Sequence, residues 1–518
     1  MKKLFITLLS CLAVLVCCTD MKEPDSDKGD NTEQEGTGQQ PGDETDKEPE
    51  YVPGPYEVAP YPAGAFTAES LGDEGISYMW DESYIPEITI HMTVDEWNKL
   101  LKRYDEFSGN VDYFHADFTY KKGEEVTFIE DGGIRLRGNT SRRRPEGNWG
   151  DLHNSSNPDW HHCHFGINFR KFHKDSDHTI HGIRKINLKW FNNDPCYVRE
   201  VYSYNLFRRY GIWTSAFSTY CRVWLDIEGD KQPAYLGVFN MIEPIDDEFI
   251  ERRVNNMFKS DKGFLWKCVY GVGGPANLRT GNGNTVDRNN QDKFNWDQDN
   301  GINYSYEFKG DEEDFPAALD QLEDFMLKLN GKTGDSFHTW ISQVFDMDFL
   351  LKTYAVNVAL GMWDDHWNNG NNFYLYFNST DKLNYEVFFL PYDYDNSLGT
   401  SHNCGAQNDS GRHDPYEWGR EGVLMEKIMK HHDFKKIYKD ALKEIVDPSN
   451  DLFHMTRSMP RIKLWQKNIA PFVSNDTGED MGIYDGPASW GNHHEYRLME
   501  NSNDNFFRVK TETINNMN

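Results

Sequence analysis

The sequence predicts an α+β fold, strand-rich in its first half and helix-rich in its second. Three observations carry this expectation. Short runs with apolar–polar alternation crowd the region between residues 87 and 246. Four longer segments after residue 313 repeat apolar residues at helical spacing. After the first 60 residues there is neither an internal repeat nor a second low-complexity linker. With 518 residues, 38% hydrophobic and 14% aromatic, the chain can bury a large core, as one large domain or two or three ordinary ones. Its formal net charge of -30 argues against nucleic acid as a main partner, because phosphate backbones are held by Lys and Arg. The basic stretch "SRRRPEG", residues 141–147, is read as a solvated loop able to take a small anion.

In chain order, "MKKLFITLLSCLAVLVCCTD" places two Lys before an apolar run of signal-peptide length, too short to span a bilayer as a mature helix. It closes on Leu15-Val16-Cys17-Cys18, which resembles a bacterial lipobox with Cys18 as the lipidated residue. The expected location is therefore the cell envelope, lipid-anchored, at the outer membrane of a Gram-negative bacterium. Residues 1–18 are the signal and residues 19–60 an acidic tether. Between residues 19 and 50 twelve acids face three lysines and there is no aromatic, so apolar burial cannot offset the cost of ordering. The folded region is expected to run from Tyr61 to residue 518. Of eight cysteines, Cys163, Cys196, Cys221, Cys268 and Cys404 lie beyond the signal. Their odd number, wide spacing and lack of a CxxC pair give neither a disulfide framework nor a zinc site, though one or two bridges are allowed.

"EITIHMTVDEWNKLL" reads as a strand and then a helix capped by Thr93. "YFHADFTY", "GGIRLRGNTS", "HCHFGINF" and "KINLKWF" read as strands. "CYVREVYSYNLFRRYG" reads as a helix stopped at Gly211. "STYCRVWLDIEG" and "PAYLGVFNMIEPID" form a hairpin, and residues 270–312, rich in Gly, Asn and Asp, an irregular insertion. Helices follow at "DFPAALDQLEDFMLKLNG", "FLLKTYAVNVALGMW", "LMEKIMKHHDFKKIYKDALKEIV" and "MPRIKLWQKNIAPFV".

Chemistry is expected at "WDDHWNNGNNFYLYFN", residues 363–378. If its strand pairs antiparallel with "YEVFFLPYDYD", Asn371 and Asn372 come beside Asp393 and Asp395, with Asp364 and Asp365 at the same mouth. Carboxylates and amide carbonyls so gathered suit Mg²⁺, a hard cation that shares its oxygens with phosphates. An acid beside it can take a proton from a hydroxyl. Asn and Asp also gather at such places simply because they cap turns.

Five segments occur in an order that resembles the CotH kinase family, atypical protein kinases related to spore-coat CotH: "IRLRGNTSR", "INLKWFNNDPCYVREVYSYNLFRRYGI", "AYLGVFNMIEPIDDEFIERR", "DDHWNNGNNFYLY" and "PYDYDNSLG". They fall between residues 133 and 399. The resemblance implies a divergent, two-lobed protein-kinase-like fold that binds ATP with Mg²⁺ or Mn²⁺. It implies that Asp393 binds metal, with Asp395 assisting and Asn372 as second ligand, and that Asp365 or Asp364 accepts the hydroxyl proton. Kinases place that acid about five positions before the Asn; Asp365 stands seven before Asn372, so the loop is longer and the choice stays open. Arg137, Gly138 and Asn139 would contact phosphates. Lys189 would pair with Glu200 eleven residues later, and Glu243 would lie where the chain crosses beside the adenine. Relatives often carry basic residues where this chain has "HHCHF"; here His162 and His164 share one strand face and can be weighed as a metal pair. The function implied is transfer of the ATP γ-phosphate to a hydroxyl of unknown identity, on a protein Ser or Thr or elsewhere. The alternatives are an inactive kinase-like lipoprotein that binds a glycan or protein, and metal-assisted phosphoester hydrolysis.

Overall fold

A computed structural model describes residues 54–174, 177–400, 409–486 and 496–517. The signal, Cys18, Cys404 and most of the acidic tether lie outside the described residues. The strands are β1 (Glu87–Met92), β2 (Phe114–Lys122), β3 (Glu125–Arg137), β4 (His164–Asn168), β5 (Lys185–Lys189), β6 (Ser218–Ile227), β7 (Ala234–Ile242), β8 (Phe264–Cys268), β9 (Phe294–Trp296), β10 (Tyr306–Phe308), β11 (Phe373–Phe377) and β12 (Val387–Pro391). The first seven close into a barrel in the order β1-β2-β3-β4-β5-β7-β6. All its pairings are antiparallel except the seam, where β1 runs parallel to β6 from Glu87↔Arg222 to Met92↔Ile227. Alternation explains which face is inside. Ile134, Leu136, Phe165, Ile167, Ile186 and Leu188 fill the barrel. The intervening positions, among them Arg135, Arg137, His164 and Lys189, point outward.

Local rules account for the helices that flank the barrel. The Thr93 hydroxyl caps the helix Val94–Glu106 by accepting from the Glu96 N–H at 3.2 Å. Trp97, Leu100 and Leu101 are its buried face, and burying each Leu contributes about 1.5–3 kcal/mol. The helix Arg199–Arg209 is buried along its whole length and packs between barrel and second half. It ends as expected near Gly211, whose φ of 79° belongs to the left-handed region.

The second half is helix-rich as expected and contains the expected β11–β12 hairpin, but that hairpin belongs to a larger sheet. Five strands form a second sheet, β12-β11-β8-β10-β9, with helices packed against it. The insertion at residues 270–312 is not irregular throughout, because β9 and β10 lie in it and extend that sheet through β8. The segment expected as one helix over residues 424–446 is two, Val423–Ile428 and His432–Val446. The fixed chain also begins before Tyr61: the Tyr56 N–H donates to the Ser83 carbonyl at 2.7 Å, and Arg461 holds the Ala59 and Pro60 carbonyls. The described residues form one compact unit. A small core of Ile242, Ile245, Phe249, Tyr374 and Leu390 joins the end of β7 to the second sheet. This join sets the outer face of β3, β4 and β5 against β11 and β12.

Candidate functional site

The site is built from the barrel outward. Pairing places Arg137 on β3 opposite His164 on β4, and Lys189 at the end of β5 opposite Asn240 on β7. Gly166 on β4 lies under the stems of Arg135 and Arg137. A Cβ there would meet Arg137 Cδ at 2.9 Å, so only glycine lets both side chains lie across the strand.

From this face the Lys189 ammonium reaches three carboxylates. It donates to Glu200 Oε1 at 3.0 Å and to Asp393 Oδ1 at 2.5 Å, and stands 3.5 Å from Asp395 Oδ2. Glu200, on the Arg199–Arg209 helix, is buried and accepts a second bond from Asn240 at 3.3 Å. Burial would strip the proton from Lys189, yet Asp393 and Glu200 hold its pKa well above the usual range. Burial raises a carboxyl in the same way, but Lys189 keeps Asp393 below its ordinary value. Glu200 is raised, because burial outweighs Lys189 and Asp393 adds a like charge. Asp395 is pushed up as well, by burial first and then by Asp393 and Glu200 against the pull of Lys189.

The other half of the site comes from the ends of β11 and β12. Phe373 pairs with Pro391, so Asn372 and Tyr392 face each other just beyond the ladder and Asp393 follows. Asn372 and Asp393 both adopt left-handed backbone, φ 57° and 59°. That conformation is uncommon outside glycine and better tolerated by Asn and Asp than by bulkier residues. Asp364 collects the loop's amides: Oδ1 accepts from Asn369 at 2.6 Å and Asn371 at 2.9 Å, and Oδ2 from Asn372 at 3.1 Å and Asn396 at 3.5 Å.

Asp365 is different. It is buried, caps the short helix His366–Asn369 by accepting from the Asn368 N–H at 2.7 Å, and accepts from the Asn357 amide at 2.6 Å. Burial pushes its pKa up to about 8. Of the two adjacent acids, Asp364 faces the polar loop and Asp365 faces the core.

The remaining expected residues divide. Arg137 lies beside the cluster and donates to the Tyr392 hydroxyl at 3.3 Å. Gly138 and Asn139 line a cavity of about 300 Å³ next to it. Glu243 does not face an open cleft. It is buried against Arg253, with bonds of 2.8 and 2.6 Å, and accepts from the Phe217 N–H. The histidine pair fails as a metal site: His162 Nε2 is bonded to the Leu236 carbonyl, while His164 meets the Trp190 N–H and the Ser141 hydroxyl. Among the described residues, no three His, Cys, Asp or Glu side chains gather as a metal cluster, and Cys163, Cys196, Cys221 and Cys268 are buried and free. Nor is any described helix long and apolar enough to cross a membrane.

Sequence reasoning missed Asn369 and Asn396 around Asp364, Tyr392 beside Arg137, and Arg135 at the cavity, whereas Arg142 lies in the basic stretch read as able to take a small anion. Arg135 was within reach, because a residue two before Arg137 on a strand must share its face.

Residues 134–503 match a family model described as CotH kinase protein, a stretch that takes in every acid and amide of the cluster. No curated protein matches the chain.

Proposed function

The chain belongs to the CotH kinase family, and on that premise we propose that it transfers the γ-phosphate of ATP to a hydroxyl-bearing acceptor. The observation that carries the reading is the convergence of Lys189, Glu200, Asp393, Asp395, Asn372 and Asp364 from two sheets and one helix. A kinase needs a lysine steadied by a helix glutamate, a metal-binding acid and a nearby acid for the nucleophile. In this reading the barrel and the second sheet with its helices act as two lobes around the site.

Asp393, Asp395 and Asn372 supply only oxygen or amide donors, a set that fits Mg²⁺ or Mn²⁺. These residues would hold the ion, which would supply positive charge for phosphate oxygens. Lys189, oriented by Glu200, would hold phosphate oxygens, with Arg137 and the backbone of Gly138 and Asn139 beside it. Asp364 would accept the acceptor's hydroxyl proton while that oxygen bonds to the γ-phosphorus and ADP leaves. The four amides around Asp364 fix the orientation of its carboxylate. Asp365 is given no proton-transfer role, since its oxygens serve Asn357 and the helix cap. Glu243 is assigned to the fold rather than to adenine.

The same reading places the protein in the cell envelope of a Gram-negative bacterium, anchored through lipid on Cys18, and gives it no nucleic-acid partner. Fatty-acid labelling that vanishes in Cys18→Ala is the expected support for the anchor.

A second reading has its own observation. Lys189 already satisfies Asp393, so the charges at this mouth are partly balanced without metal. That suits a non-catalytic lipoprotein that binds a glycan or protein. Calorimetry separates the two readings. ATP binding that requires Mg²⁺ or Mn²⁺ and is lost in Asp393→Ala supports the kinase. No ATP binding by the unaltered protein sinks it.

A further inference from the structure

The cavity beside Arg137 has a charge pattern of its own. It lies between the outer face of β3 and the second sheet, with the segment between β9 and β10 along one side. Four cations and three acids line it. The acids have lysine partners. Lys309 is bonded to Glu307 at 2.8 Å and to Asp297, Lys267 stands 3.9 Å from Glu307, and Asp299 lies 3.6 Å from Lys171. The arginines have none. Arg142 donates to the neutral carbonyls of Gly138, Ser108 and Asn110. Arg135 stacks 5.2 Å over the Tyr113 ring, and its Nε is buried with no hydrogen-bond partner among the described residues. Among the described residues no carboxylate stands within 4 Å of either guanidinium, which leaves both able to meet an anion in the cavity.

We propose that this cavity holds the anionic group of the acceptor, making the acceptor a small hydroxyl compound that carries a carboxylate or a phosphate. The inference rests on the kinase reading of the neighbouring site. Arg135 stands two residues before Arg137 on the same strand face, about 7 Å away at strand spacing. Arg137 in turn donates to the hydroxyl of Tyr392, the residue before Asp393, so an anion held at Arg135 lies one strand step from a side chain that lies beside the acidic cluster. The planar guanidinium fork matches a carboxylate or phosphate with two parallel bonds. Burial, followed by the charges of Arg135 and Arg137, lowers the Arg142 pKa to about 10, whereas, against burial, Tyr113 and the acids Asp299, Asp297 and Glu307 hold that of Arg135 above its ordinary value, so Arg142 is the less compensated of the two. A nucleobase gains little between such charged walls, since base pockets are mostly apolar. About 300 Å³ admits one sugar-sized unit.

Calorimetry on the full chain tests this with three probes: glucuronate, glucose 6-phosphate and uncharged glucose. At least one anionic probe should bind and glucose should not. Which of the two binds more tightly identifies the group as carboxylate or phosphate. Arg135→Gln should weaken that binding at least tenfold, Arg135→Lys less, and the affinity for ATP with Mg²⁺ should change less than twofold in both. Thermal melts check folding, and Arg135→Lys stands alone if the Gln variant does not fold. The proposal is overturned if no anionic probe binds, if glucose binds equally well, or if the Arg135 variants bind as the unaltered protein does. It is also overturned if ATP is weakened as much as the probe, because the cavity is then part of the nucleotide site. Loss of ATP binding by the unaltered protein, with anion binding intact, defeats the kinase reading and leaves this site standing.

Discussion

Replacing Lys189 with Met removes the one cation shared by Glu200, Asp393 and Asp395. Breaking a buried ion pair from one side costs about 3–5 kcal/mol. Only Glu200 is deeply buried here, with 6% of its side chain exposed, against 35% for Asp393 and 45% for Asp395. Solvent screens the latter two, so the expected loss is about 2–3 kcal/mol at pH 8. The sign with pH follows from the groups. With Lys189 present, Asp393 titrates below its ordinary value. Its stabilisation is in place above about pH 4 and fades as the pH falls through that lowered value. Without Lys189, the burial of Glu200 and the mutual repulsion of the three carboxyls favour their protonated forms in the folded chain. The penalty in the variant therefore grows as pH rises through the resulting raised values and shrinks on acidification. Urea unfolding at pH 5 and pH 8 should show the variant's deficit clearly smaller at pH 5. Saturating Mg²⁺ should restore more stability to the variant than to the unaltered protein; at ten times the dissociation constant that gain is about 1.4 kcal/mol. A deficit below about 0.5 kcal/mol at pH 8, the range of ordinary surface changes, would refute the electrostatic account of the cluster. So would a deficit independent of pH.

Other expectations concern neighbours of the cluster. Asp364→Asn should lower transfer at least 100-fold, within the usual range for general-base loss, while unfolding changes little. Asp365→Ala should instead lower stability by about 1–2 kcal/mol, through loss of the cap and of the Asn357 bond, as read by urea titration. Because the Asp365 carboxyl is raised to about 8 in the fold, it favours folding below about pH 4, and that contribution is lost as pH rises to 8. The Ala variant should lack this slope. Glu243→Ala strands the buried Arg253 guanidinium and should cost about 3–5 kcal/mol, with nucleotide affinity in the folded protein unchanged by calorimetry.

Much of this arrangement was legible because it is local. Alternation in "NNFYLYFN" and "YEVFFLPYDYD" gives the β11–β12 pairing, and pairing alone brings Asn372 toward Asp393. Lys189 at a strand end and Glu200 in the next helix need only a short connection to meet. What stayed hidden depends on distant partners or very short elements. Nothing within β1 announces that it will lie parallel to β6. β9 and β10 have three residues each, too few to display a period. The buried Glu243–Arg253 bond depends on a turn between them that the residues do not specify. Asp364 and Asp365 are alike in sequence, and only the turn after them decides which faces solvent. A hint existed, since Asp three residues before Asn368 is a helix-cap pattern.

The parallel seam of the barrel has a consequence for how the protein is made. Residues 87–92 leave the ribosome long before residues 222–227, their final neighbours. Until then β1 presents an unpaired edge that other nascent chains can join. A chaperone that covers this edge during synthesis is therefore expected to raise the yield of folded chain. Fragments ending before β6 should fall to proteolysis or inclusion bodies, whereas fragments that include β7 can seal the cylinder.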